Sequence, residues 1–214
     1  MQVGANYHRV KIVITEFMGY EKNYLVHPYY ILITLVLGSI TALFIGFSAA
    51  YIYSRVQGEL PPVQIPNLFY ANTLFLIATS LALQKTKRAY ESDQTRAYKL
   101  YLNLTLVLSI LFLFGQIFAW REMINLNIHL NSTTLASYLY VISGVHFTHL
   151  VAGIPFLIYF IVDAQKRLKE PASVLVYLSD PDKKRKLVVL SVYWHFLDAL
   201  WIYLVLFFMV NLYI

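Results

Sequence analysis

Two pairs of ionisable side chains, His146-x-x-His149 and His195-x-x-Asp198, stand inside long apolar runs of this 214-residue sequence. A spacing of three puts each pair on one face of a helix. From Leu187 to Ile214 the only formal charge is Asp198. At ~1.5 Å of rise per residue it lies roughly 17 Å past Lys186, about half of a ~30 Å hydrocarbon core. A carboxylate at that depth is costly unless it is neutralised, paired or wet, so an ionisable residue there reads first as a functional site. Three histidines and a carboxyl could ligate a metal or a bis-histidine haem. They could also relay protons, or satisfy one another as an interhelical hydrogen-bond network that ties the fold together. The spacing alone leaves these chemistries open.

The elements that must position these groups are membrane spans. The chain is 59% hydrophobic, 16% aromatic and only 13% charged, against about 25% charged in soluble domains. Apolar blocks over about 28–53, 66–84, 100–120, 133–162 and 187–213 are each long enough to cross a bilayer. Lipid cannot satisfy exposed backbone groups and no strand-like alternation is present, so the blocks are expected to be helices. The fold class is therefore all-α, an integral membrane bundle of five transmembrane helices forming one domain over 28–214. Residues 1–27 precede it as a cytoplasmic segment without an apolar run of secretory length.

The charges set the expected topology. Arg9, Lys11 and Lys22, then Lys85, Lys87, Arg88, Arg96 and Lys99, then Lys166, Arg167, Lys169 and Lys183 to Lys186 fall on one side, and of the 17 Lys and Arg only Arg55 and Arg121 fall on the other. By the positive-inside rule the N-terminus is cytoplasmic and the C-terminus outside. The net charge of +6 is thus topological and implies no nucleic-acid partner. Zero cysteines remove disulfides, thiolate nucleophiles and cysteine-ligated metals. There is no phosphate-binding Gly-rich loop, no Gly-x-Ser-x-Gly turn and no His-Glu-x-x-His helix.

Small residues mark where helices could approach closely. Gly38, Ala42, Gly46 and Ala50 repeat every four residues in the first span, and Gly144 and Gly153 flank the paired histidines of the fourth. Asn72, Thr73 and Gln116 read as interhelical hydrogen-bonding groups. Pro61, Pro62 and Pro66 mark a turn between the first two spans, and residues 170–181 make a longer inside loop whose Val174 to Leu178 stretch is apolar enough to graze the membrane.

Tyr193-Trp194-His195-Phe196-Leu197-Asp198-Ala199-Leu200-Trp201 resembles the last helix of subunit III of the haem-copper oxidases, the cytochrome c oxidase subunit III family, where a Tyr-Trp-His-Phe-Val-Asp pattern followed by tryptophan recurs. Gly144-x-His146-x-x-His149-x-x-x-Gly153 is similar to that family's penultimate helix, Asn72-Thr73-Leu74 to the start of another, and Gln116 with Trp120 to the end of the next. The Ser39 to Tyr51 stretch resembles the helix that opens the five-span version. Two positions depart. The family's Ser-Glu, whose buried glutamate is associated with proton chemistry, reads Ser39-Ile40, and a glutamate often found after the glutamine is Ala119. Asp198 is left as the only carboxyl in the membrane middle.

The resemblance implies a subunit without a catalytic site, haem or copper of its own, those centres belonging to subunits I and II. It implies a chain that braces subunit I, binds phospholipid and supports proton uptake in a respiratory terminal oxidase taking electrons from cytochrome c. The equivalent subunit of a quinol oxidase or nitric oxide reductase is the alternative within the superfamily, and a stand-alone haem or metal membrane protein the alternative outside it. The implied setting is a prokaryotic inner (plasma) membrane, where a larger respiratory supercomplex is a further implied partner. His146, His149, His195 and Asp198 would then form an interhelical polar network, with Tyr193, Trp194 and Trp201 packed beside it.

Overall fold

A computed structural model describes residues 27–168 and 171–213; the expected cytoplasmic segment lies almost wholly outside them. Six helices follow one another: α1 (Pro28–Gly58), α2 (Asn67–Glu91), α3 (Thr95–Asn125), α4 (Thr134–Arg167), α5 (Pro171–Ser179) and α6 (Pro181–Tyr213). No strand occurs among the described residues.

Local chemistry sets the ends. Pro28 opens α1, where its missing N–H costs nothing, and the His27 ring nitrogen accepts from the Tyr29 N–H at 3.4 Å. Glu59 ends α1 in the left-handed region (φ 48°), and the prolines that follow cannot continue a helix. Thr133 caps α4 by accepting the Ala136 N–H at 3.1 Å. Inside α4, Pro155 has no N–H to give the Val151 carbonyl.

Helices α1, α3, α4 and α6, of 31, 31, 34 and 33 residues, are each long and apolar enough to cross a membrane. The chain is thus a multi-pass helical membrane bundle. Helix α2 has 25 residues, long enough at ~1.5 Å per residue, but its sequence is more polar. The reason lies in which face carries the polar groups: Asn72, Thr79 and Thr86 are buried, while Tyr70, Leu74, Ile77 and Leu81 face outward.

Helices α2 and α3 form the closest pair, α4 packs on α3, and α6 touches α1, α2 and α4. The last helix is therefore the hub, and Trp194, Leu197, Trp201 and Leu204 along it are all buried. Between α4 and α6 the expected inside loop is instead the nine-residue helix α5. Its Tyr177 is buried against Tyr90 and Tyr98, while Val176 faces out.

One expectation about packing is corrected. The Gly38, Ala42 and Gly46 line does not meet another helix of this chain: all three are exposed, Ala50 is half-buried, and a Cβ added at Gly38 or Gly46 would find nothing within 4 Å. Helix α1 turns the line Ile33, Ile40, Phe44, Ser48 and Tyr51 inward, and at 100° per residue the small-residue line falls on the far side. Gly144 likewise has open space beside it, whereas Gly153 does not.

Candidate functional site

Helix α6 presents Trp194, His195, Asp198 and Trp201 to three neighbours at once, and each finds a different environment. Trp201 Nε1 donates to Thr73 Oγ1 on α2 at 3.2 Å. Its ring stacks on Phe69 with centroids 5.4 Å apart, and meets Phe112 of α3 edge-on and His146 of α4, both at 5.0 Å. Trp194, fully buried, fits against Gly153 of α4, where an added Cβ would stand 2.9 Å from Cζ3. Gly153 thus leaves the room that the Trp194 ring occupies. Tyr193 crosses the same interface, its hydroxyl donating to the His149 carbonyl at 2.8 Å.

The α2–α3 pair is joined by Asn72, whose Nδ2 donates to Gln116 Oε1 at 3.5 Å, and α3 is joined to α4 by Trp120 Nε1 donating to Ser143 Oγ at 3.0 Å. Hydrogen bonds across helices are thus made by Asn72, Thr73, Gln116, Trp120, Tyr193 and Trp201. Each polar group so bonded avoids being left unsatisfied in hydrocarbon.

The four ionisable residues are not bonded to one another. His146 is fully buried, with neither ring nitrogen partnered and its ring between Phe112 and Trp201. His149 gives its Nδ1 proton to the Val145 carbonyl of its own helix at 2.7 Å. His195 is half-buried and shares a 2.7 Å hydrogen bond between Nδ1 and the Ser80 hydroxyl of α2. Asp198 is 4% exposed, and neither carboxyl oxygen has a hydrogen-bond partner. Antiparallel α4 and α6 carry Gly153 beside Trp194 and His146 beside Trp201, so Asp198 stands at the level of the histidines. The His146 ring is instead taken up by Phe112 and Trp201, both buried. Among the described residues no three His, Asp or Glu converge as a metal-binding group. Ile40, where the family's glutamate would stand, is 5% exposed within the apolar core.

Three features were not read from the sequence. Gly115 lets Asn72 approach so closely that a Cβ there would stand 2.0 Å from Asn72 Oδ1; its place beside Gln116 was the available signal. Ser80 is one of two adjacent hydroxyl residues in an apolar block, indistinguishable in sequence from its neighbour Thr79. The third is a polar lock at the basic end of the bundle. There Asp163 of α4 pairs with Lys183 of α6 and, at 2.9 Å, with Arg167. Lys183 also lies 5.5 Å above the rings of both Tyr159 and Tyr177, and Lys99 of α3 donates to the Leu168 carbonyl at 2.7 Å. The Tyr90 hydroxyl donates to the Tyr177 carbonyl at 3.1 Å. Burial, with the Asp180 and Asp93 carboxylates adding to it, pushes the Tyr90 phenol up to about 12, and burial pushes Tyr177 up as well. At the opposite end Arg55 Nη1 donates to the Asn211 carbonyl at 2.5 Å. An open, largely apolar groove of about 900 Å3 runs beside it between α1 and α6, past Ile52, Val56, Tyr203 and Leu206.

No family model matches the chain. Individual proteins do. It is 28% identical over 177 residues to cytochrome c oxidase subunit 3 of Synechocystis sp., covering 80% of this chain and 71% of that protein. It is 27% identical over 169 residues to cytochrome c oxidase subunit 3 of Thermostichus vulcanus, covering 76% and 77% respectively. A Mycobacterium leprae protein named "Probable cytochrome c oxidase subunit 3" is 28% identical over 163 residues, covering 74% and 76%. The chain therefore resembles subunit III along most of its length, as its last helix already suggests.

Proposed function

We propose that this chain is the non-catalytic subunit III of a respiratory terminal oxidase, bracing a larger partner subunit within the membrane. The observation that carries the reading is the Tyr193–Trp201 segment: its residues resemble the subunit III motif, and in the fold they make the contacts that fix α6 among α2, α3 and α4. The similarity to bacterial proteins named for that subunit supports it independently.

The finer reading is a single domain of five spans, α2 included, with the N-terminus cytoplasmic and the C-terminus outside. The basic end of the bundle, with Lys85, Lys87, Arg96, Lys99, Lys166 and Arg167, supports that orientation, and the outward apolar face of α2 supports the fifth span. The partners are subunits I and II, which hold the haem and copper and take electrons from cytochrome c in the plasma membrane of a prokaryote. His149 and His195 act as polar anchors at mid-depth, His149 through its own helix and His195 through α2, while His146 packs among aromatic rings and Asp198 stands at the same level without an ion-pair partner. The exposed Gly38, Ala42 and Gly46 face suits close approach by a partner's helix. The groove beside Arg55 suits a phospholipid acyl chain with its phosphate near the guanidinium.

Affinity purification of the tagged full chain in mild detergent tests the reading. Expected are co-purifying larger membrane subunits and a haem spectrum that belongs to them. A Soret band carried by this chain alone, and lost on His146→Ala or His149→Ala, would overturn it.

A further inference from the structure

Asp198 has a chemical problem that the packing does not solve. It is 4% exposed, no ion pair reaches it, and both its oxygens lack a hydrogen-bond donor. An ionised carboxylate so placed is uncompensated, and the group neutralises instead. The Ser80 hydroxyl of α2 lies within interaction reach of the carboxyl while sharing a hydrogen bond with His195 Nδ1 at 2.7 Å. The His195 ring, engaged to Ser80 through Nδ1, is only half-buried and so links that hydroxyl to the accessible side of the bundle.

We propose that Asp198 is a proton-binding site at the middle of the bundle, neutral at rest, exchanging its proton with the bundle surface through Ser80 and His195. The chain of groups has the donors and acceptors that transfer needs. The Asp198 O–H proton passes to Ser80 Oγ as the Ser80 hydroxyl proton passes to His195 Nδ1. The imidazolium so formed releases its Nε2 proton to water or another base at the surface. Asp198 is left as the carboxylate and His195 neutral, and the reverse sequence reloads the site.

The other groups around it do not offer a competing route. Helix α4 brings His146 and His149 to this depth, but His146 is partnerless among aromatic rings and His149 has spent Nδ1 on Val145. The buried hydroxyls of Thr105 and Ser109 on α3 already donate to their own helix. Helix α1 turns Ile40 and Phe44 inward here. The proposal concerns this chain alone and stands whether or not the oxidase reading holds.

Infrared difference spectroscopy of the full chain in detergent, moved from H2O to D2O, tests it. A protonated-carboxyl C=O band is expected that disappears in Asp198→Asn and shifts in D2O. In Ser80→Ala and, separately, in His195→Phe, that shift should develop about tenfold more slowly or worse, and Ser80→Thr, which keeps the hydroxyl, should restore the rate. Absence of any protonated-carboxyl band removed by Asp198→Asn would show the residue ionised and sink the proposal. A D2O shift equally fast in Ser80→Ala and His195→Phe would sink the route.

Discussion

Replacing Gly115 by alanine is the sharpest test of how α2 and α3 are fitted together. An ideal Cβ at 115 would stand 2.0 Å from Asn72 Oδ1, 2.9 Å from its Cγ and 3.1 Å from its Nδ2. Heavy atoms in contact rest at about 3.5 Å, so the amide would have to retreat by about 1.5 Å. Asn72 is 1% exposed and its partner Gln116 fully buried, so there is no empty space to retreat into. Overpacking of this kind costs about 1–3 kcal/mol, and loss of the Asn72–Gln116 hydrogen bond adds about 0.6 kcal/mol. Alanine's higher helix propensity returns about 1 kcal/mol. The net is destabilisation of about 0.6–2.6 kcal/mol, or a fall of a few degrees in Tm at about 2–4 °C per kcal/mol for a chain of this size. Thermal unfolding of the purified chain in detergent measures it. The cycle is completed by Asn72→Ala, which removes the clashing amide: adding Gly115→Ala to that background should cost nothing further. Gly144→Ala, where a Cβ meets nothing within 4 Å, should be neutral or slightly stabilising. Equal losses at Gly115 in the wild-type and Asn72→Ala backgrounds would refute the close-approach argument.

Trp201→Phe deletes the hydrogen bond to Thr73 Oγ1 and part of a fully enclosed side chain, so a loss of about 1–3 kcal/mol is expected by thermal unfolding. Thr73→Val should cost little once Trp201 is Phe. Asp163→Asn removes the charge shared by Lys183 and Arg167; trypsin cleavage within residues 166–186 should quicken several-fold, and an unchanged cleavage rate would show that the ion pairs do not hold that end. The Tyr90 phenol is raised in the fold from 10.0 to about 12. Its contribution is therefore fully present below about pH 10 and is lost as pH rises toward about 12. Alkaline unfolding should set in across that window, and Tyr90→Phe should flatten it.

The membrane class, the helical elements and the chemistry-bearing residues are legible in the sequence because each has a one-dimensional signature. Apolar runs longer than a bilayer need give the spans, and isolated polar residues within them stand out by their cost. Interhelical roles for Asn72, Thr73 and Gln116 followed from that cost alone, and Gly153 from its register behind the histidines. The same logic misjudged the Gly38, Ala42 and Gly46 line, because a small residue marks where a neighbour could approach without saying whether the fold sends one. It also could not foresee α5, whose Tyr177 docks on Tyr90 and Tyr98, Tyr90 lying 87 positions away in the chain.

By itself, then, the sequence determined that this is a helical membrane chain, that α6 is its most expensive helix to bury, and that its motifs resemble those of subunit III. Tertiary structure alone decided how the ionisable groups are distributed among partners. Depth along a helix is set by residue number, which is why His146, His149, His195 and Asp198 could be placed at a common level. Which way each points depends on helix rotation and on the rings packed between them. That rotation gives His195 to Ser80, His146 to Trp201 and Phe112, and leaves Asp198 without a donor.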